Sequence, residues 1–296
     1  MKRWLASLVV AMGVGAVAWG LPLGLRFAAW GARDTGLSAK DYIQDGLVAM
    51  WDGIENAGWG KHDPNATDYV DLINGIGAKN IIGTSSQEYN GTNFWVKAEW
   101  ADNAFKLTAN YQGGVVYKSY TVSQSDFAKM GITEATMSNV TMEACVAWGG
   151  EVPYENGYYT GDLQSVAGVC IVSDTKFYDY FFRMDPYMNW AYSGAPFFSP
   201  NSGYWKGKIV TGSNVLNEME WKSFCNGEQN GTTYTPLSYG SGSNICRPLF
   251  QSGWRCPNKQ WIYCQRIYNR PLTDEEVKHN YEVDKARFGT AVDAAE

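Results

Sequence analysis

Histidine is almost missing from this sequence: the chain has two, His62 and His279, in 296 residues. That bears on chemistry, because imidazole is the commonest general base near neutral pH. His62 sits in a turn-rich loop. His279 lies about 200° around a short C-terminal helix from Val277, at roughly 100° per residue, and so points to solvent. Neither has a cysteine near it in sequence, and no G-x-S-x-G elbow occurs, so a Ser–His or Cys–His nucleophile has no local support. Charge is sparse too, at 18% of residues with a formal net of −6. No basic patch of the kind that binds phosphate is present, which argues against a nucleic-acid partner. The C-x-x-C spacing of zinc ribbons and thioredoxin-type sites is missing. There is no repeat of fixed period, and sustained helical periodicity is confined to one stretch near the C-terminus.

Aromatics are plentiful (13 Trp, 19 Tyr, 12 Phe), as is glycine with 32 residues. That mixture favours strands joined by turns. The length permits one large all-β domain or two smaller ones. The six cysteines are Cys145, Cys170, Cys225, Cys246, Cys256 and Cys264. An even number in an exported chain allows disulfides of open connectivity; the alternative is buried thiols that fill core space.

Residues 1–25 read as a targeting segment. Lys2 and Arg3 precede an uncharged run from Trp4 to Leu25, and Ala16-Val17-Ala18 offers a small-x-small cleavage site. The run also reaches the roughly 20 residues that cross a bilayer, so a cleaved signal peptide and an uncleaved anchor both fit. Either implies an exported protein, extracellular or in the cell envelope. Gly13, Gly15 and Ala18 form a G-x-G-x-x-A pattern without the strand-turn-helix context that nucleotide binding needs. Residues 26–45 read as a linker, 46–289 as the globular domain and 290–296 as a tail.

Within the domain, Leu47 to Trp51 suits a buried first strand. Asn103–Asn110 and Val115–Tyr120 flank Gly113-Gly114 as a hairpin. Thr141 to Trp148 alternates, with Met142, Ala144, Val146 and Trp148 on one face and Glu143, Cys145 and Ala147 on the other. Gly168–Ser173 is a short strand; antiparallel pairing with 141–148 would let Cys145 face Cys170. Lys176–Met184 carries aromatics on both faces, and Trp205–Thr211 and Glu218–Phe224 are further strands. Many short strands without alternating helices predict a two-sheet antiparallel jelly-roll sandwich.

The stretch 261–289 closes the chain. Ile262, Cys264, Arg266 and Tyr268 alternate with Tyr263, Gln265, Ile267 and Asn269 as a strand. Pro271 ends it. Thr273 and Glu276 form a capping box, and Leu272 with Val277 a hydrophobic staple. Asp274, Glu275 and Glu276 complement the positive end of the helix dipole, and Lys285 and Arg287 the negative end, before Gly289 stops the helix. Val277, Tyr281 and Phe288 define the buried side. Asp284 falls on that side and needs a partner, for which Arg266 and Arg270 are the candidates.

The runs 46–60 (GLVAMWDGIENAGWG), 63–67 (DPNAT), 71–72 and 263–289 resemble the opening and closing segments of bacterial laminin-G-like domains, members of the concanavalin A-like lectin/glucanase superfamily. Residues 142–147 resemble a strand between them. The resemblance implies a two-sheet jelly roll with adjacent terminal strands, in a secreted or surface protein that binds rather than catalyses. Where many such domains carry a Trp-His pair before an Asn-Gly hairpin, this chain has Trp221 to Gly227 without a histidine.

The same superfamily houses glucanases, whose carboxylates alternate on one strand as Glu-x-Asp-x-Glu to bring two within reach of the glycosidic bond. The nearest counterpart here is Glu218-Met219-Glu220, which lacks the aspartate, so no enzyme is expected and a divergent glycoside hydrolase ranks last. Some laminin-G-like domains hold Ca²⁺ through oxygen ligands; Asp63, Asn65, Asp68 and Asp71 are the candidates, against the plainer reading of a solvated acidic loop. Glycan stacking would use Tyr178, Tyr180, Tyr187, Trp190 and Tyr192, against the reading that these form the core. The expected function is a non-catalytic module that recognises a glycan or a surface protein. The alternative is a structural subunit that packs against copies of itself.

Overall fold

The computed structural model describes residues 36–110, 118–133, 135–136, 138–150, 207–218, 220–233, 248–252 and 258–292, with the backbone of strands at 154–155, 158–159, 167–172, 177–184 and 190–191. Contacts divide the chain into residues 1–31 and 32–296, and only the second unit is described. The leader therefore lies outside the described residues.

A 3-10 turn at Ala39–Asp41 comes first. The strands are β1 (Leu47–Asp52), β2 (Tyr69–Val70), β3 (Gly77–Ala78), β4 (Gly83–Tyr89), β5 (Thr92–Ala101), β6 (Ala104–Ala109) and β7 (Lys118–Thr121). Beyond helix α1 (Gln124–Lys129) lie β8 (Asn139–Gly149), β9 (Tyr154–Glu155), β10 (Tyr158–Tyr159), β11 (Ala167–Val172), β12 (Phe177–Met184) and β13 (Trp190–Ala191). Then come β14 (Val210–Asn217), β15 (Glu220–Cys225), β16 (Glu228–Thr233), β17 (Pro248–Ser252) and β18 (Lys259–Tyr268), and helix α2 (Asp274–Phe288). The fold is all-β and antiparallel with a closing helix, as the sequence predicts.

One nine-stranded sheet runs β16-β15-β14-β8-β18-β6-β5-β4, and β1 joins it by pairing with the second half of β18. Three of its hairpins turn on two-residue loops with both central residues at positive φ: Asn90-Gly91 (49° and 75°), Asp102-Asn103 (57° and 60°) and Asn226-Gly227 (51° and 76°). This type I′ geometry matches the twist of paired strands, and Asn, Asp and Gly tolerate it. The hairpin expected around Gly113-Gly114 does not form. β6 turns back on β5 through Asp102-Asn103, and β7 pairs with β17 instead.

The sheet buries both faces. Met142, Ala144, Val146 and Trp148 enter the inner core with Trp51, Leu107, Ile262 and Ile267. Tyr69 of β2, Phe127 of α1, Met130 at its C-cap and Phe250 of β17 close that core from the other side. Tyr69 stacks on Phe105 at 4.3 Å between centroids, and Phe250 lies 4.8 Å from Phe105. β11 runs beside β17, so the β7–β17 pair and the β11-β12-β13 sheet are neighbours. β11 pairs with β12 rather than with β8, which removes the expected Cys145–Cys170 juxtaposition: the ladder sets Cys170 opposite Asp179, and Cys145 is a free thiol.

On the outer face Cys145, Ala147, Trp261, Tyr263 and Cys264 pack under α2 and the segment around Tyr42. Tyr263 and Cys264, consecutive in sequence, share that face because β18 slips register against β8 between Ile262 and Cys264. A β-bulge of this kind inserts one residue and re-aims the side chains beyond it. The unbroken alternation expected for β18 is thereby corrected.

Both ends of the domain reach further than expected. Residues 38–44, read as linker, are built into the body: Ser38 and Asp41 form a capping box, and Ala39 and Tyr42 are buried. In the stretch read as a tail, Ala291 bridges Lys208, and the Val292 N–H donates to the Gly207 carbonyl at 2.8 Å.

Candidate functional site

The densest polar chemistry among the described residues lies between α2 and the outer face of the sheet. Thr273 and Glu276 form the predicted capping box at the start of α2. Leu272 and Val277 pack in one apolar cluster, as a hydrophobic staple requires. The buried stripe of the helix differs from the expected one. Val277, Asn280, Val283, Asp284 and Arg287 are buried, a sector of about 120° at roughly 100° per residue. Tyr281 and Phe288, expected inside, are only partly buried.

Asp284 receives Arg266 as a two-pronged pair, Nη1 to Oδ1 at 2.7 Å and Nη2 to Oδ2 at 2.8 Å. The predicted partnership with Arg266 therefore holds. Arg270 instead grips Glu276 through both terminal nitrogens, at 2.8 and 2.7 Å. Arg266 also donates through Nε to Glu143 Oε2 at 2.8 Å. Glu143 accepts in addition from Asn280 Nδ2 and Ser213 Oγ at 2.7 and 2.8 Å. A second guanidinium, Arg287, donates to Asp52 Oδ2 at 2.7 Å and to Glu55 Oε1 at 3.3 Å. It stands in the last turn of the helix, at the negative end of the dipole as expected, and it is buried there, 3% exposed.

Tyr42 joins the two halves. Its hydroxyl donates to Asp284 Oδ1 at 2.6 Å and accepts from Arg287 Nη1 at 3.0 Å. Its ring lies 4.1 Å from the Arg266 guanidinium carbon and 5.3 Å from that of Arg287. Such stacking suits arginine, whose planar cation is weakly hydrated. Burial pushes the Tyr42 hydroxyl far above the usual tyrosine range, with Asp284 adding to it. Burial also draws Arg266 down, but Asp284 and Glu143 more than reverse this and hold it charged. Glu143 is raised, by burial first, against the pull of Arg266.

This network fastens α2 to the sheet. Each of its charged groups makes direct hydrogen bonds, the condition under which buried ions are tolerated, and the Arg287 Nε–H alone among them is buried without a partner among the described residues. It ties residues 38–55, β8, β14, β18 and α2 into one piece. Cys145 and Cys264 sit beside it, directly opposite each other on β8 and β18 and both as free thiols. Burial raises both far above the usual thiol range, so neither is poised as a thiolate.

The other predicted site residues are dispersed. Asp63 accepts the Asn65 N–H at 2.8 Å within its own turn. Asp68 holds the Asn80 N–H at 2.7 Å and faces Lys79 at 3.3 Å. Asp71 is buried and caps the N–H groups of Ile73, Asn74 and Ile76. Each carboxylate stabilises a separate turn, and no cluster of three or more His, Cys, Asp or Glu able to hold a metal occurs among the described residues. The expected calcium set is therefore not assembled. Glu218 occupies a turn at φ 55° and Glu220 opens β15, so the two do not share one strand face as expected. His62 and His279 are exposed, with ring nitrogens near the carbonyls of Ile54 and Asp41 at 2.9 and 2.8 Å. Tyr178 and Tyr180 fall on β12, where the ladder sets them opposite Ile171 and Val169; Trp190 is on β13, opposite Met184. Tyr187, Tyr192, Cys246 and Cys256 lie outside the described residues. Cys225 is a partly buried free thiol.

A feature that sequence reading missed lies on the inner face. Asn214 of β14 and Ser223 of β15 are cross-strand partners, and the Ser223 hydroxyl donates to Asn214 Oδ1 at 3.0 Å. The Asn214 side-chain N–H₂ is buried without a partner among the described residues, as is the indole N–H of Trp148 further along the sheet. The strand pattern could have located Asn214, since it shares the inner face with Val210 and Leu216.

No protein family and no curated protein matches this sequence. Solved structures with a similar chain path include the Trypanosoma rangeli sialidase in complex with 2,3-difluoro-KDN, at 17% identity and a TM-score of 0.44, covering 82% of this chain and 33% of that one. The binding domain of botulinum neurotoxin serotype G gives 16% identity and a TM-score of 0.40, covering 81% and 51%. That of serotype D gives 13% and 0.38, covering 80% and 52%. This chain thus spans about a third of the sialidase and half of the toxin domains.

Proposed function

We propose that this chain is an exported, non-catalytic binding module of the laminin-G-like kind, and that its ligand is a glycan held on the inner face of the large sheet at Asn214 and Ser223. The supporting observation is the unpartnered Asn214 amide. A buried donor left unmade costs about 1–3 kcal/mol, and the Ser223 hydroxyl fixes its orientation by occupying the amide oxygen. A sugar hydroxyl is the matching acceptor. The separation of Glu218 and Glu220 supports the non-catalytic reading. The test is a glycan array with the full chain and with Asn214→Ala. Expected is binding to a defined glycan class, weakened at least about tenfold, or 1.4 kcal/mol, in the variant, with an unchanged melting temperature. Binding that survives the substitution, or release of reducing sugar from a bound glycan, would overturn it.

A further inference from the structure

Strand β4 ends the large sheet, and among the described residues nothing pairs with its outer edge. Thr84, Ser86, Gln87, Glu88 and Tyr89 are all exposed, Tyr89 to 55%. The seven residues pair with β5 in unbroken register, from Gly83 opposite Ala98 to Tyr89 opposite Thr92. Tyr89 and Thr92 close a two-residue type I′ loop, which makes them a hydrogen-bonded pair. Alternation along an antiparallel ladder then assigns the rest. Gly83, Ser85, Gln87 and Tyr89 spend their backbone groups on β5. Thr84, Ser86 and Glu88 turn their N–H and C=O groups outward, and no bond to these groups occurs among the described residues.

Natural proteins blunt such edges with lysine, proline, bulges or very short strands. β4 has none of these (GTSSQEY). The opposite edge does: β16 carries a register shift against β15 at Ser223/Phe224. The contrast lies within one sheet, so it concerns this edge rather than the fold.

We propose that β4 is a self-association edge, where two copies pair their β4 strands antiparallel about a two-fold axis at Ser86. In that register Ser86 meets Ser86 of the second copy, and Thr84 and Glu88 meet each other. All three outward-turned residues then form hydrogen-bonded pairs, about six bonds across the interface. Glu88, the one charged residue of the strand, faces a threonine, so no like charges oppose. On the other face Tyr89 covers the bare backbone of Gly83. A closed two-fold dimer of this kind consumes both open edges.

Sedimentation velocity over a concentration series, with the full chain in mild detergent to solvate the N-terminal apolar segment, tests this. Expected is a reversible dimer whose Kd rises at least about tenfold in Ser86→Lys, which places two cations on the axis. Ser86→Pro removes one outward N–H and should act alike; if it unfolds, the lysine variant decides. Register is read separately by cysteine substitution. Hydrogen-bonded pairs lie about 5.5 Å apart at Cα, within disulfide reach. Ser86→Cys should therefore give covalent dimers with oxidised glutathione, and Thr84→Cys, which faces Glu88, should not. A wild-type chain that stays monomeric, dimers unaffected by Ser86→Lys, or equal cross-linking of the two cysteine variants would each overturn the proposal.

Discussion

Asp284→Ala tests the reasoning about the outer face most directly. Asp284 accepts four bonds: two from Arg266, one from the Tyr42 hydroxyl at 2.6 Å and one from Thr211 Oγ at 2.8 Å. Truncation leaves Arg266, which is 1% exposed, with Glu143 as its remaining carboxylate, and strands two hydroxyl donors. Breaking one side of a buried pair costs about 3–5 kcal/mol because the other charge stays desolvated. At about 2–4 °C per kcal/mol for a domain of this size, the melting temperature should fall by roughly 6–20 °C. Urea unfolding followed by circular dichroism gives the free energy, and an unchanged m-value shows that compactness is kept. Arg266→Met combined with Asp284→Leu should recover part of the loss, since an apolar pair removes the stranded charge. A loss below about 1 kcal/mol, typical of a surface pair, would refute the claim that this interaction fastens the helix. The glycan binding proposed for the inner face should not change.

Glu143→Gln should reveal a pH dependence. Because burial holds the folded carboxyl of Glu143 above its ordinary value of 4.5, its contribution is largest below that pH and is lost as pH rises through the raised value. The stability of wild type relative to the variant should therefore fall from pH 4 toward pH 8; a flat or rising difference contradicts the assignment. Native-state alkylation should modify neither Cys145 nor Cys264, whereas Cys225, partly buried and pushed up to about 12, should react slowly at alkaline pH. Peptide mass mapping reads this, and rapid labelling of Cys145 would show that the outer face opens. Gly53→Ala should cost about 1–3 kcal/mol by overpacking, because its Cβ would lie 2.3 Å from the Asn103 carbonyl oxygen and 2.5 Å from Ala104 Cα. Equal denaturation midpoints would refute that. Arg287→Met should speed hydrogen exchange at Ala39 and Ile43, whose N–H groups donate to the Glu55 and Asn280 side chains, because Arg287 in turn holds Glu55; unchanged exchange there would separate Arg287 from the N-terminal segment.

Local rules read well from the residues. Thr273, Glu276 and Gly289 bound α2 because caps are decided by near neighbours, and the alternation of β8 emerged from a period of two. The partnership of Asp284 with Arg266 was also accessible, since a carboxylate on an apolar stripe demands a cation. Its neighbours were not. Arg287 near a helix C-terminus satisfies the dipole rule equally well whether exposed or buried, and only Asp52 and Glu55, more than two hundred residues away in sequence, select the buried state. Tyr42 was placed in a linker because its segment lacks periodicity. It is ordered by hydrogen bonds to α2 rather than by a repeating apolar pattern.

By itself the sequence determined the all-β class, the capped terminal helix and the need for a cation beside Asp284, because composition, turn chemistry and short-range periodicity act within a few residues. Tertiary structure alone decided which strands pair, where β18 bulges, that Cys145 meets Cys264 rather than Cys170, and that the acidic loop 63–71 spends its carboxylates on its own turns. Those outcomes depend on which distant backbone lies alongside, and strand pairing carries no local signature of its partner.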